Sequence, residues 1–233
     1  MIKSLFITAT GTDTGKTYIS ALLVKKMREF GLNCGYYKPV LSGAYKDNDG
    51  VLTPGDCKFV VDTAKLDIEP MKCLSYCFEE AVSPHLASKR AGVKISKTKI
   101  IEDYDKLKQN YEYMILEGAG GITCPLCDAA QKSDLFLLSD LVKNLSEDVI
   151  IVADGGLGTI NSVVTTVEYI RLCGIITKGI ILNNFDKNNF MHRDNLYMIE
   201  KMTDINVIAT VAKGDKDINI DKDLLLSLFK EDY

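Results

Sequence analysis

Short runs of β-branched and aromatic residues alternate along the chain with longer stretches of helical spacing. The first run covers residues 4–9. After Gly15, apolar side chains recur at Ile19, Leu22, Leu23, Met27 and Phe30, which predicts an amphipathic helix ending near Gly31. Further strands are expected at 34–40, 113–117, 149–154, 179–183 and 206–211, with helical patterns between nearly all of them. Residues 149–153 are apolar at every position, as in a strand buried on both faces. Such alternation implies right-handed crossovers and a mostly parallel sheet between helical layers. The expectation is a three-layer α/β fold, one domain spanning residues 1–233. Residues 41–54, rich in Gly, Asp and Asn, read as a long loop within it.

Composition narrows the function classes. With 46% apolar and 26% charged residues the mix is ordinary, and a chain of 233 residues buries enough surface to fold without disulfides. Lys+Arg number 28 against 32 Asp+Glu, a net charge of -4 with no basic stripe, so no nucleic-acid partner is expected. The four arginines, Arg28, Arg90, Arg171 and Arg193, lie far apart, which speaks against clustered bidentate anion recognition. No apolar run approaches the roughly 20 residues that cross a bilayer, and residues 1–9 read as a first strand rather than a signal segment. No membrane partner is expected. Seven cysteines, an odd number, suit free thiols in a reducing cytoplasm.

Candidate chemistry begins between the first strand and the first helix, in Thr8-Ala9-Thr10-Gly11-Thr12-Asp13-Thr14-Gly15-Lys16-Thr17. Backbone N–H groups around Gly15 and the helix start would face an anion. Lys16 would reach terminal phosphates, and the Thr17 hydroxyl would ligate magnesium. The loop is a variant of the phosphate-binding pattern: Gly11 stands only four positions before Gly15, and the residue six before is Ala9. A Thr/Gly-rich turn without a ligand is the alternative. The coincidence of strand, Gly-Lys-Thr and amphipathic helix favours nucleotide binding and a P-loop NTPase-like fold.

Two further segments follow strands and should reach the same carboxyl-end crevice. In Tyr37-Lys38-Pro39-Val40-Leu41-Ser42-Gly43, Lys38 is placed to meet an anion; otherwise it is a snorkelling surface lysine. In Glu117-Gly118-Ala119-Gly120-Gly121, a carboxylate precedes glycines that permit close backbone approach, an arrangement suited to a metal under a substrate. The alternative is a flexible turn with a solvated carboxylate.

Together these segments resemble the dethiobiotin synthetase family. The resemblance rests on Thr10-x-Thr12-x-x-Gly15-Lys16-Thr17, Lys38-Pro39-Val40 with Ser42-Gly43, Ser83-Pro84-His85, Glu117 to Gly121, Gly158-x-x-Asn161, and Asn183 ending a late strand. It implies an ATP-dependent cyclo-ligase that takes 7,8-diaminononanoate, carbon dioxide and ATP to dethiobiotin, ADP and phosphate, through a carbamate and a carbamic-phosphoric anhydride. Carried over by position, magnesium would be held by Thr17, Asp56 and Glu117. Carbamate and substrate contacts would fall on Thr12, Lys16, Lys38, Ser42 and Gly120, with Lys16 and Lys38 catalytic. ATP would meet Asp13, Thr14, Gly15, Lys16, Thr17, Asp56, Glu117 and Gly118, and the adenine Asn183. The acid tail of the substrate would lie on residues 157–161 of a second subunit, Asn161 included, which implies a homodimer with shared sites.

Other features carry less. Cys124-Pro125-Leu126-Cys127 has CxxC spacing without thioredoxin-like surroundings, and the looser Cys73 and Cys77 pair makes a four-cysteine zinc site a weak reading. His85 reads as a first-turn residue of a helix capped by Ser83. His192 has no evident partner, and the charges of 186–194 read as a solvated face. The rival in another class is a partitioning ATPase acting as a dimer switch; such proteins often carry a further lysine early in the loop, which Thr8 to Thr14 lacks. Amide-forming ligases of the same group usually add a glutaminase domain, for which 233 residues leave no room.

Overall fold

The computed structural model describes residues 2–128, 135–145 and 147–229. The first half contains β1 (Lys3–Ala9), α1 (Lys16–Glu29), β2 (Cys34–Tyr37), β3 (Val40–Ser42), β4 (Tyr45–Lys46), β5 (Leu52–Thr53), α2 (Gly55–Ala64), β6 (Tyr76–Phe78), α3 (Pro84–Ala91) and α4 (Lys97–Lys108). The second half continues with β7 (Tyr113–Glu117), β8 (Pro125–Cys127), β9 (Phe136–Leu137), α5 (Leu138–Leu145), β10 (Val149–Asp154), α6 (Thr159–Leu172), β11 (Thr177–Asn183), α7 (Phe190–Thr203), β12 (Val207–Thr210) and α8 (Lys222–Ser227).

Six parallel strands form the central sheet in the order β12-β11-β10-β1-β7-β2. Alternate residues of β1 enter different cores. Leu5, Ile7 and Ala9 pack with α1, α2 and α8, whereas Phe6 packs with α4, α5, α6 and α7. A strand covered on both faces must be apolar at nearly every position, which is the origin of the continuous runs. The three-layer α/β expectation is met, and among the described residues no helix is long and apolar enough to cross a membrane.

Two expectations need correction. The strand expected over 34–40 stops at Tyr37, because Pro39 has no N–H to continue the ladder and biases Lys38 toward extended backbone. β2 is an edge strand, where a proline is tolerated. The chain then leaves the main sheet, and β3 pairs in parallel with β6. The stretch 41–54 is likewise not a bare loop: it holds the end of β3 and the antiparallel β4–β5 hairpin. The hairpin turn is built by Asp47, whose Oδ1 accepts from the N–H groups of Asp49 and Val51.

Candidate active site

Three neighbouring strands deliver the candidate residues to the carboxyl edge of the sheet. β1 leads into residues 10–15, β2 into Lys38, and β7 ends on Glu117. The register pairs Ile7 with Glu117 and Tyr37 with Leu116, so Lys38, one residue on, stands level with Glu117. α2 packs beside α1 and brings Asp56 in from its first turn.

The loop before α1 is held by backbone geometry. Gly15 has φ +90°, and a Cβ there would lie 2.1 Å from Nδ2 of Asn183. No side chain caps α1, so its first-turn N–H groups are left for an external acceptor. Buried Asn183 supports the loop from behind, donating through Nδ2 to the Thr14 carbonyl at 3.0 Å. Lys16 lies over the loop, its Nζ donating to the Gly11 carbonyl at 2.9 Å. Burial pulls its ammonium below the ordinary lysine range.

The second group is a network of charges. Glu117 is fully buried. Its Oε1 accepts from Thr17 Oγ1 at 2.7 Å and Lys38 Nζ at 2.6 Å, and its Oε2 accepts from the Tyr36 hydroxyl at 2.8 Å. Lys38 Nζ also donates to Asp56 Oδ2 at 2.5 Å. Burial opposes the Lys38 ammonium, yet the charges of Glu117 and Asp56 outweigh it and hold the group above its ordinary range. Burial, reinforced by the Glu117 charge, keeps the Tyr36 phenol protonated well above the ordinary tyrosine range. Lys38 is 5% exposed, which rules out the snorkelling alternative, and buried Glu117 rules out a solvated turn.

Lys16, Thr17, Lys38, Asp56 and Glu117 line a cavity of about 800 Å³. Of the sequence candidates, Thr12, Asp13, Gly15, Lys16, Thr17, Lys38, Ser42, Asp56, Glu117 and Gly120 border it. Thr14, in the loop, and Asn183, which donates to its carbonyl, are not among the residues that border the cavity. Gly118 serves packing, since a Cβ there would come within 2.5 Å of Leu138 and 3.1 Å of Phe6. Asn161 is exposed on α6, away from this cavity. Sequence reasoning missed Tyr36 and did not place Cys124 or Ser83 at the cavity. Burial pushes the Cys124 thiol up to about 11, so it is not an activated nucleophile. Ser83 stands at the N-cap of α3 and His85 in its first turn, as expected, but the Ser83 hydroxyl pairs with His85 Nδ1 at 2.9 Å and makes no cap hydrogen bond. His192 has a partner after all, accepting at Nδ1 from the Asp186 N–H at 3.0 Å.

The Thr17 hydroxyl and the Asp56 and Glu117 carboxylates form an all-oxygen donor set, the chemistry that magnesium prefers beside phosphates. The Lys38 ammonium between the two carboxylates shows that the field there favours a cation.

A family model described as an AAA domain matches residues 3–216. An ATP-dependent dethiobiotin synthetase BioD from Clostridium botulinum (strain Alaska E43 / Type E3) is 47% identical over 220 residues, covering 94% of this chain and 95% of the relative. The chain belongs to the dethiobiotin synthetase family. A second dethiobiotin synthetase, from Clostridium perfringens (strain ATCC 13124), is 45% identical over 213 residues, 91% of this chain and 92% of its own length. Among solved structures, the MinC:MinD cell division protein complex of Aquifex aeolicus matches with a TM-score of 0.53 at 13% identity, over 92% of this chain and 83% of that one. That likeness shows a shared fold alone, and the dethiobiotin synthetases are the relatives that bear on the chemistry.

Proposed function

We propose that this cavity closes the ureido ring of dethiobiotin, taking 7,8-diaminononanoate, carbon dioxide and ATP to dethiobiotin, ADP and phosphate. The observation that carries the reading is the convergence of Lys16, Lys38, Thr17, Asp56 and Glu117 on one cavity, in a chain of the dethiobiotin synthetase family. Asp13, Thr14, Gly15, Lys16 and Thr17 cradle the ATP phosphates. Asn183 stands where the loop meets the adenine side. Thr12, Lys38, Ser42 and Gly120 face the carbamate. Thr17, Asp56 and Glu117 would hold magnesium, which when bound supplies positive charge beside the phosphates.

One amine of the substrate adds to carbon dioxide and loses a proton, giving a carbamate. A carbamate oxygen attacks the γ-phosphorus and ADP leaves, forming the carbamic-phosphoric anhydride. The second, unprotonated amine then attacks the anhydride carbonyl, the ring closes and phosphate departs. Carbamate and triphosphate are both anions, so the barrier lies in bringing them together, and two buried ammonium groups lining the cavity serve that task. No side-chain nucleophile is required.

The same reading makes the active unit a homodimer of single-domain chains in the cytoplasm. α6 begins after Gly158 at φ +88° with no side-chain cap, leaving N–H groups for a substrate carboxylate. Leu157, at the tip of the preceding turn, is 92% exposed, and Phe190 is 79% exposed. Both suit a subunit contact. The turn is rigidly built: Asn195 donates to the carbonyls of Gly155 and Gly156. The seven free thiols suit a reducing compartment.

Phosphate release measured with ATP, magnesium and bicarbonate tests the reading. It should require 7,8-diaminononanoate; hydrolysis indifferent to the diamine would point to the switch-type ATPase instead.

A further inference from the structure

Among the described residues that hydrogen-bond Glu117, Tyr36 alone stays outside the cavity. Its place follows from strand register. Tyr36 sits opposite Ile115 on β7, and the two-residue period of a strand puts Glu117 on the same face, one step nearer the carboxyl edge. The ring is 1% exposed and packs in the core shared with α1 and α2, so the hydroxyl has a fixed origin.

The two oxygens of Glu117 are thereby divided. Oε2 is taken from inside by Tyr36, while Oε1 faces Thr17 and Lys38. The last torsion of a glutamate is soft, so a carboxylate held through one oxygen alone is less firmly oriented than one held through both. We propose that Tyr36 is a positioning residue, fixing the carboxylate plane of Glu117 so that Oε1 is the oxygen offered to the cation of the site. The inference rests on the reading of Thr17, Asp56 and Glu117 as magnesium ligands. It adds the outer group that orients one of them, a kind of contact whose loss typically lowers metal affinity about 10–100-fold.

Tyr36→Phe keeps the ring and removes only the hydroxyl. The informative quantity is the gain in ADP affinity on adding magnesium, from calorimetry with saturating magnesium and again with a chelator. Wild-type protein should show a clear gain, and Tyr36→Phe should lose about tenfold of it. ADP affinity in chelator should stay unchanged in the variant. An equal gain in both proteins overturns the inference while leaving the metal reading intact. No gain in the wild type overturns the metal reading, and this inference with it. A second arm guards against a folding defect in the single variant. Glu117→Gln should abolish most of the gain, and adding Tyr36→Phe to it should remove nothing more; a further loss means that Tyr36 acts elsewhere, which also overturns the proposal.

Discussion

Lys16 and Lys38 line one cavity and are both buried, yet the protein holds them by opposite means. Lys16 belongs to a contiguous loop and its hydrogen-bond partner is the Gly11 carbonyl, while the charges of Glu117 and Asp56 favour its ammonium and that of Lys38 opposes it. Burial outweighs the carboxylates, and the group falls below its ordinary range. Lys38 is set between two carboxylates from distant parts of the chain and rises above its ordinary range. On the proposed reading the loop is a cradle for the phosphates of ATP, whereas the Lys38 cluster carries its own counter-charges. On that reading ATP should gain more from Lys16, which makes no ion pair as close as those of Lys38. The charge on Lys38 is shared with Asp56 and Glu117 before any substrate arrives.

Removing each lysine should separate these roles most strongly. Lys16→Ala should lower ATP affinity and turnover together. Lys38→Ala should cost about 10²–10³ in kcat for ring closure, with ATP affinity changed less than about threefold. Comparable losses of ATP affinity in the two variants would falsify the division. Calorimetry for binding and initial rates for turnover give both numbers.

A smaller effect tests whether the loop depends on backbone geometry. Gly15→Ala forces a Cβ into left-handed backbone, costing roughly 1–2 kcal/mol, and into Nδ2 of Asn183. Thermal unfolding should fall by about 2–8 °C from the strain alone. Asn183→Ala in the same chain should restore part of any further drop. An unchanged midpoint in Gly15→Ala would remove the geometric account of the loop.

The smallest effect is in pH dependence. Lys16 loses its proton in the folded protein below the 10.5 of a free lysine. As pH rises through that lowered value, the unfolded chain binds more protons than the folded one, so this group's contribution to stability grows up to 10.5. ATP affinity should fall over the same window. Lys38 has the opposite sign: its contribution is full below 10.5 and is lost as pH climbs through its raised folded value. ATP affinity measured against pH should therefore begin to decline below 10.5, and Lys16→Arg should flatten that decline. A profile insensitive to Lys16→Arg would contradict the assignment.

The same contrast explains what was legible in the sequence. The loop is local: strand, Gly15-Lys16-Thr17 and amphipathic helix lie within residues 4–30, and each announces itself by residue type or period. The sheet was equally plain, because strands buried on both faces read as unbroken apolar runs. The cluster is non-local. Lys38 and Glu117 stand out as charges at strand ends, but their contact depends on β2 and β7 being neighbours in a given register. Asp56 was reached only through family resemblance, since it follows a hairpin whose strands are two residues long and leave no period to detect. Tyr36 was invisible for the same reason, as a tyrosine in a strand ordinarily reads as core. Ser83 and His85 were legible as N-cap and first-turn residues, but not the pairing between them that replaces the cap hydrogen bond.

The most direct test of the account is the stoichiometry of label transfer from bicarbonate, with ATP, magnesium and 7,8-diaminononanoate supplied to the wild-type protein. One acid-stable labelled product should form for each ADP released, since the carbon dioxide unit ends in a ring. ADP accumulating without acid-stable label would contradict it.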